Sequence, residues 1–236
     1  HNISLTISPG EKLAIVGPTG SGKSSLIRLL GRFYDFSDNS IFLDDIDLNR
    51  INSGDVRRRI GVVLQDFHIF SGSILDNIIL GNTRVSREQA IQAAKDVNAD
   101  KFIQTLPEGY DTRSGPGGVH LSGGQRQRIG LARAMYDSPS IVVLDEPSSN
   151  LDNDGRLALM DALKRLKQMK TTVIMIAHQP ALFFGMDKVA LIAGGQLQKF
   201  GPADEVIPEL KPRKMAVSEK LSSVSRKATI KQIRKN

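Results

Sequence analysis

Hydrophobic residues recur along the chain in two patterns, short apolar runs and longer stretches with helical spacing. The runs predict β-strands and the spaced stretches predict α-helices. From about Phe67 to Tyr136 the strand signal vanishes and only helical patterns remain. Strands are predicted at Lys12–Val16, Ile41–Leu43, Gly61–Leu64, Ile141–Leu144, Thr172–Ala177 and Lys188–Ile192, and helices at Lys23–Leu30, Asp55–Arg59, Ser86–Asn98, Asp100–Leu106 and Asp154–Lys167.

The predicted strands are apolar on both faces, as in the runs IVVL and TVIMIA. Strands of this kind belong to parallel sheets that helices cover on both sides. Ser86 and Gln89 form a capping box at the start of a helix in the middle of the chain, and Gly194-Gly195 predicts a hairpin turn. The sequence therefore predicts an α/β fold with a helical insertion.

Composition is that of an ordinary globular protein, with 40% hydrophobic and 24% charged residues. The sequence has no cysteine, so disulfides and thiolate chemistry are excluded. The formal net charge of +7 belongs to the C-terminal end, because nine Lys and Arg but one acid lie from Lys211 onward. The remainder has a net charge near −1 and does not predict a nucleic-acid-binding face. Residues 211–236 form a solvated basic tail or, alternatively, contact acidic lipid head groups or a partner.

The segment GPTGSGKS lies between a predicted strand and a predicted helix and fits the pattern G-x-x-x-x-G-K-[ST]. Its glycines allow successive N–H groups to point into one concavity, and the helix that follows presents its positive end. In this interpretation Lys23 reaches the β- and γ-phosphates of a nucleotide, and the Ser24 hydroxyl ligates Mg²⁺. The alternative is a purely structural role, in which the segment is a glycine-rich turn followed by a surface lysine. The predicted nucleotide-binding residues are Gly17, Pro18, Thr19, Gly20, Ser21, Gly22, Lys23, Ser24 and Ser25.

Two acids follow the apolar run IVVL. Ligands of parallel α/β sheets bind at the carboxyl ends of the strands. Asp145 is therefore placed to hold Mg²⁺, directly or through water, and Glu146 to orient or deprotonate an attacking water. An acid after an apolar run is common in structural roles, so the prediction depends on the nearby phosphate loop.

The stretch LSGGQRQR contains a second capping box, formed by Ser122 and Gln125. That structural role does not explain Gly123 and Gly124, each of which costs about 1 kcal/mol relative to Ala inside a helix. A helix N-terminus without side chains is a site for an anion. Ser122–Gln125 is therefore predicted to contact a phosphate.

The chain resembles the ATP-binding domain of ABC transporters over nearly its whole length, because it carries a phosphate loop, LSGGQ and LDEP in this order. The resemblance implies a P-loop NTPase (RecA-like) parallel-sheet core, an inserted α-helical subdomain and a partial N-terminal β-subdomain. It identifies Gln65 as the Q-loop glutamine, a catalytic and Mg²⁺-binding residue. By the same resemblance, SSNLD at residues 148–152 corresponds to the D-loop. His178 corresponds to the catalytic switch histidine. Outside this constellation, His178 would be interpreted as a structural histidine at a strand end.

Three features depart from the family pattern. The sixteen residues before Gly17 contain no Phe, Tyr or Trp, although the family carries an adenine-stacking aromatic upstream of the phosphate loop. The segment TRSGPGG, residues 112–118, lacks the glutamate of the T-x-V-G-E-x-G element found in exporters. Asn150 stands where the D-loop commonly has Ala. Within the family, LQDFHIFSGSILDNI is similar to half-transporter exporters, whereas GYDTR, DEPSSNLD and AHQPAL are similar to type I protein secretion ATPases.

The resemblance implies an ATPase that uses ATP and Mg²⁺ and forms a head-to-tail homodimer. Each ATP would lie between Gly17–Ser24 of one copy and Ser122–Gln125 of the other. The dimer would power export of proteins or peptides, or else lipids or drugs, from the cytoplasmic face of a membrane. Its membrane domain would be fused N-terminally. Two alternatives stay open: an ABC ATPase that acts on nucleic acid or ribosomes, and a cassette that binds ATP without hydrolysing it.

Domain boundaries follow from the same patterns. The ATPase domain is expected at 1–210, with its core at about 1–66 and 137–210 and its helical subdomain at about 67–136. The basic tail covers 211–236. Because the chain begins at His1 rather than at a methionine, we expect it to belong to a longer protein.

Overall fold

The computed structural model describes residues 3–80, 82, 85–115, 117–149, 151, 153–177, 182–183 and 185–210. Strands and helices alternate along the chain as the sequence predicts. The strands are β1 (Lys12–Val16), β2 (Phe42–Leu43), β3 (Ile46–Asp47), β4 (Ile60–Val63), β5 (Gly72–Ser73), β6 (Arg113–Ser114), β7 (Ile141–Asp145), β8 (Thr172–Ile176), β9 (Lys188–Ala193) and β10 (Gln196–Pro202). The helices are α1 (Lys23–Leu30), α2 (Ser53–Arg59), α3 (Ile74–Ile79), α4 (Arg87–Asp96), α5 (Asp100–Ile103), α6 (Gly123–Met135), α7 (Asn153–Gln168) and α8 (Ala203–Leu210).

A six-stranded sheet in the order β10-β9-β1-β8-β7-β4 forms the centre of the fold. Five strands are parallel, and β10 runs antiparallel to β9 through the predicted Gly194-Gly195 turn. The parallel strands end at one edge of the sheet, where α/β proteins bind their ligands. The predicted α/β fold with a mostly parallel sheet is confirmed.

Side chains of the parallel strands alternate between two hydrophobic cores, one on each face of the sheet. In β1, Leu13 and Ile15 face the core that contains Ile27 of α1, whereas Ala14 and Val16 face the core built with α6 and α7. Both faces are therefore buried, which explains why the strands are continuous apolar runs.

Helices α3 to α6 follow β4 and pack on one another and on α7. The capping boxes predicted at Ser86 and Ser122 are both present: each Ser hydroxyl accepts from the backbone N–H of the glutamine three residues on, and each glutamine accepts from the Ser N–H. No helix in the described part of the chain combines the length and the apolar character needed to cross a bilayer.

Two predictions in this region are wrong. The helix expected over Asp100–Leu106 ends at Ile103, because the Thr105 and Leu106 N–H groups donate to carbonyls three residues back, next to a proline. Strands are also present where none were expected, since β5 pairs with β6 in a two-stranded sheet. Each has only two residues, too few to give a periodic signal.

Asp187 lies at the edge of the sheet where the parallel strands begin. Its Oδ2 accepts from the Lys12 N–H at 2.8 Å, and its Oδ1 pairs with the Lys167 ammonium. Burial alone would raise the pKa of Asp187, but these hydrogen bonds and the two lysine charges hold that pKa below its ordinary value. The ionised carboxylate therefore stabilises the fold.

We expect Asp187→Asn to lower the free energy of unfolding at neutral pH by about 1 kcal/mol or less. The folded pKa is lowered, so the stabilisation is present above the unfolded pKa of roughly 3.9 and disappears as pH falls through the folded value. Chemical denaturation from pH 7 to pH 3 measures it. The control is Asp161→Asn, whose exposed pair with Lys164 should give a smaller effect. A parent–variant difference that did not shrink at low pH would refute this role.

Candidate functional site: the phosphate loop and the strand ends beside it

Glycines shape the loop between β1 and α1 for two different reasons. At Gly17 a Cβ atom would stand 1.9 Å from the carbonyl oxygen of Ile192 in β9, so no side chain fits. Gly20 and Gly22 have φ values of 77° and 96°, in the left-handed region that favours glycine. A Cβ at either of these two would meet no atom within 4 Å, so the space beside them is open.

Lys23 is held within this loop and is only 5% exposed. Its ammonium donates to the carbonyl oxygens of Gly17 at 3.0 Å and Pro18 at 2.8 Å. Ser21 is also buried, and its hydroxyl has no hydrogen-bond partner among the described residues. The loop thus fixes one positive charge beside backbone that carries no side chain at its three glycines, which suits a phosphate.

Ser24 and Asp145 meet, as the sequence predicts. The Ser24 hydroxyl, in the first turn of α1, donates to Oδ1 of Asp145 at the end of β7, at 3.2 Å. Asp145 is 3% exposed, and burial raises its pKa, with the charge of Glu146 acting in the same direction and the Ser24 hydrogen bond opposing it. A buried carboxylate beside a hydroxyl offers the oxygen ligands that Mg²⁺ prefers.

Glu146 has a strained backbone, with φ at 49° in the left-handed region. Its N–H donates to the Ile176 carbonyl at the end of β8, at 3.2 Å, and its carbonyl accepts from the N–H and hydroxyl of Ser149. Strain of this kind persists where surrounding bonds hold it and is frequent at functional sites.

Gln65 is exposed and follows β4 by two residues. Val63 pairs with Leu144, so the chain leaves β4 at the same sheet edge as Asp145. The ends of β1, β8, β7 and β4 thus bring the phosphate loop, the two acids and the Gln65 segment to one edge. His178 was expected here too, after β8, but it lies outside the described residues.

Ser122–Gln125 opens α6, which packs against α3, α4, α7 and β4. Ser122 is exposed, and the capping box uses its hydroxyl and the Gln125 amide, at 2.8 and 3.2 Å. Among the described residues, no hydrogen bond or ion pair joins Ser122–Gln125 to the phosphate loop. One chain therefore presents two separate candidate phosphate sites.

A buried network that the sequence did not reveal surrounds Asn77 in α3. Its amide nitrogen donates to the Phe70 and Ser73 carbonyls and to the Ser114 hydroxyl, and Arg133 of α6 donates to its side-chain and backbone oxygens. The network joins the chain after Gln65 to β6 and α6. In the sequence, only the placement of Asn77 within the apolar run ILDNII signals it.

Comparison with known proteins identifies this arrangement. Residues 1–149 match the family model described as "ABC transporter". The chain belongs to the ABC transporter family. ABC transporter B family member 2 of Dictyostelium discoideum is 42% identical over 206 residues, which cover 87% of this chain and 15% of that protein. YgaD of Bacillus subtilis, named for a multidrug export ATP-binding/permease role, is 38% identical over 207 residues, 88% of this chain and 36% of that protein.

The chain is also similar to a solved structure of a bacterial Atm1-family ABC exporter with ATP bound, with 32% identity and a TM-score of 0.80. The match covers 94% of this chain and 39% of that structure. The P-loop NTPase fold and the resemblance to ABC exporters are confirmed, and ATP-binding domains of this family are ATPases. The comparisons give no support to the nucleic-acid alternative. The chain spans only a minor part of the length of either curated relative, 15% of the first and 36% of the second.

Proposed function

We propose that this chain hydrolyses ATP for an exporter, at the cytoplasmic face of a membrane, as one half of a head-to-tail dimer. The name of YgaD joins an ATP-binding part to a permease, which supports a membrane domain fused to this one. The N-terminal position of that membrane domain stays a prediction. The resemblance to exporters supports export, rather than import, as the direction of transport. The type I secretion subtype and the cargo stay predictions. The division into a core, a helical subdomain at about 67–136 and a basic tail is part of the same proposal.

The observation that carries this proposal is the Ser24–Asp145 hydrogen bond beside the loop-bound Lys23. It joins the N-terminal turn of α1 to the end of β7. No group of three or more His, Cys, Asp or Glu side chains in the described residues could hold a metal alone. Mg²⁺ does not require one, because it keeps several waters and binds one or two protein oxygens together with substrate phosphates.

Among the described residues, the position of each predicted site residue is consistent with the role proposed for it. Residues of Gly17–Ser25 cradle the phosphates, with Lys23 as the charge. Ser24, Asp145 and Gln65 would hold Mg²⁺, which when bound neutralises phosphate charge. Glu146 positions or deprotonates the attacking water, and His178, outside the described residues, is proposed to hold the γ-phosphate.

The second phosphate site explains why two copies are needed. Ser122, Gly123, Gly124 and Gln125 form the N-terminal end of α6, and among the described residues no hydrogen bond or ion pair joins them to the phosphate loop of their own chain. In a head-to-tail homodimer they would contact the ATP held by the other copy. Binding of ATP would then close the dimer and hydrolysis would release it, which gives the cycle a means of moving a membrane domain.

We expect Asp145→Asn to abolish the contribution of Mg²⁺ to ATP binding while leaving the nucleotide-free fold no less stable. Asn keeps an oxygen for Ser24 and removes a buried charge. Thermal unfolding measures both effects. With ATP at about 100 times Kd, the parent should gain about 2.7 kcal/mol, and only the parent should lose part of it when EDTA removes Mg²⁺.

The matched control is Asp161→Asn, an exposed aspartate of α7, which should keep the full dependence on Mg²⁺. If Asp145→Asn responded to EDTA as the parent does, Asp145 would not be a metal ligand and this part of the proposal would fail.

A further inference from the structure

Gly130 lies in the interior of α6, where glycine is less favourable than Ala. The structure supplies a reason for it. A Cβ atom built at Gly130 would stand 2.8, 3.0 and 3.1 Å from Cε2, Cζ and Cδ2 of Phe67. The first distance is shorter than carbon–carbon contacts allow and the other two are well below the optimal separation of about 3.5–4.0 Å, so the edge of the Phe67 ring lies against the place where a side chain would begin. We call this the Phe67–Gly130 contact.

Two further contacts attach the same part of the chain to α6. In β4, a Cβ at Gly61 would stand 2.1 Å from the Ala134 carbonyl oxygen, so strand and helix touch through their backbones. Beyond Phe67, the His68 carbonyl accepts from Nη1 of Arg133 at 3.0 Å. The segment that carries Gln65 is thus fixed to α6 on both sides.

Phe67 is itself anchored, because it is partly buried and packs on the main hydrophobic core. Gln65 is exposed and lies two residues before that anchor. A movement of the ring relative to α6 would therefore shift Gln65, whereas the phosphate loop, which precedes α1 on another part of the sheet, would keep its geometry.

We propose that Phe67 is a positioning residue, whose ring on Gly130 sets Gln65 relative to the helix that Ser122 opens. This inference rests on the proposed function, in which Gln65 serves the ATP of its own chain and Ser122 that of the partner copy. The Phe67–Gly130 contact then joins the two ATP sites through one rigid helix. ATP at one site would favour the arrangement of α6 that the other site needs.

A size swap tests the contact. Gly130→Ala places a methyl group against the ring and should lower kcat for ATP by about tenfold, since small displacements near a catalytic group cost this much or more. KM should stay within about twofold of the parent, because the phosphate loop is untouched. Replacing Phe67 by Leu in the same chain makes room for the methyl group, and Gly130→Ala/Phe67→Leu should recover most of kcat.

If the contact served stability alone, Gly130→Ala would lose activity only as far as its melting temperature falls. We expect instead that the melting temperature of the nucleotide-free chain does not fall by an amount that explains the lost activity, because Ala favours a helix interior. The matched control is Gly201→Ala in β10, where the nearest atom to a new Cβ is a Val206 methyl at 3.6 Å, and it should behave as the parent does.

Either of two results would overturn the inference: Gly130→Ala hydrolysing ATP as well as Gly201→Ala, or a loss that Phe67→Leu fails to relieve. A parent chain without ATPase activity would instead overturn the proposed function, so the two failures are distinguishable.

Discussion

Glu146→Gln should bind ATP as the parent does and lose about 10²–10⁴ in kcat. The residue is placed to act on water rather than on nucleotide, since it follows Asp145 at the end of β7 and its backbone is fixed by Ile176 and Ser149. Gln preserves the size of the side chain and should preserve the left-handed backbone at φ 49°. Only the ability to accept a proton is removed.

Steady-state release of phosphate and a binding titration with ATP measure the two halves of this prediction. Glu205→Gln, an acid in the first turn of α8, is a control that should leave kcat unchanged. A Glu146→Gln chain that turned over ATP within a few-fold of the parent would show that another group handles the water. Weakened ATP binding would place Glu146 on the nucleotide instead.

Lys23→Ala should weaken ATP binding by about tenfold to a hundredfold, since a hydrogen bond to a charged group contributes about 1.5–3 kcal/mol. The ammonium lies within the loop, bonded to two of its carbonyl oxygens, where the phosphates are expected. Its removal takes away a positive charge and also one hydrogen-bond donor from each of those carbonyls.

Lys12→Ala is the matched control, because Lys12 is also a buried lysine and lies in β1, the strand that leads into the phosphate loop. Burial lowers the pKa of Lys12, and the neighbouring charges are Lys167 and Asp187, at the edge away from the phosphate loop. Its loss should affect stability and leave the Kd for ATP unchanged. Equal losses of ATP affinity in the two variants would show that Lys23 acts through folding and does not contact nucleotide.

The parts of the fold that were predictable are those with strong local signals. Helix α1 begins and ends as predicted, between Gly22 and Gly31, and the five parallel strands of the sheet agree within one residue at either end because both their faces are buried. The meeting of Ser24 with Asp145 was predictable as well, since parallel strands end at a common edge.

Features that depend on distant parts of the chain were not predictable. The pairing of β5 with β6 joins residues 72 and 114, and neither strand is long enough to show a period. The Phe67–Gly130 contact has only a weak signal in the sequence, a glycine inside a helical run. That signal says that something approaches the helix, but only the folded chain shows that it is an aromatic ring next to Gln65.

The central claim is that ATP lies between the phosphate loop of one copy and Ser122–Gln125 of the other, and the most direct test is the mass of the ATP-bound protein. Light scattering coupled to size-exclusion chromatography should find Glu146→Gln as a monomer without nucleotide and as a dimer with saturating ATP and Mg²⁺. Glu146→Gln/Ser122→Arg should bind ATP through its intact phosphate loop and remain a monomer, because the arginine fills the space that the partner's phosphate needs. A dimer that formed equally well with Ser122→Arg would contradict the account, since no phosphate would then be meeting the start of α6.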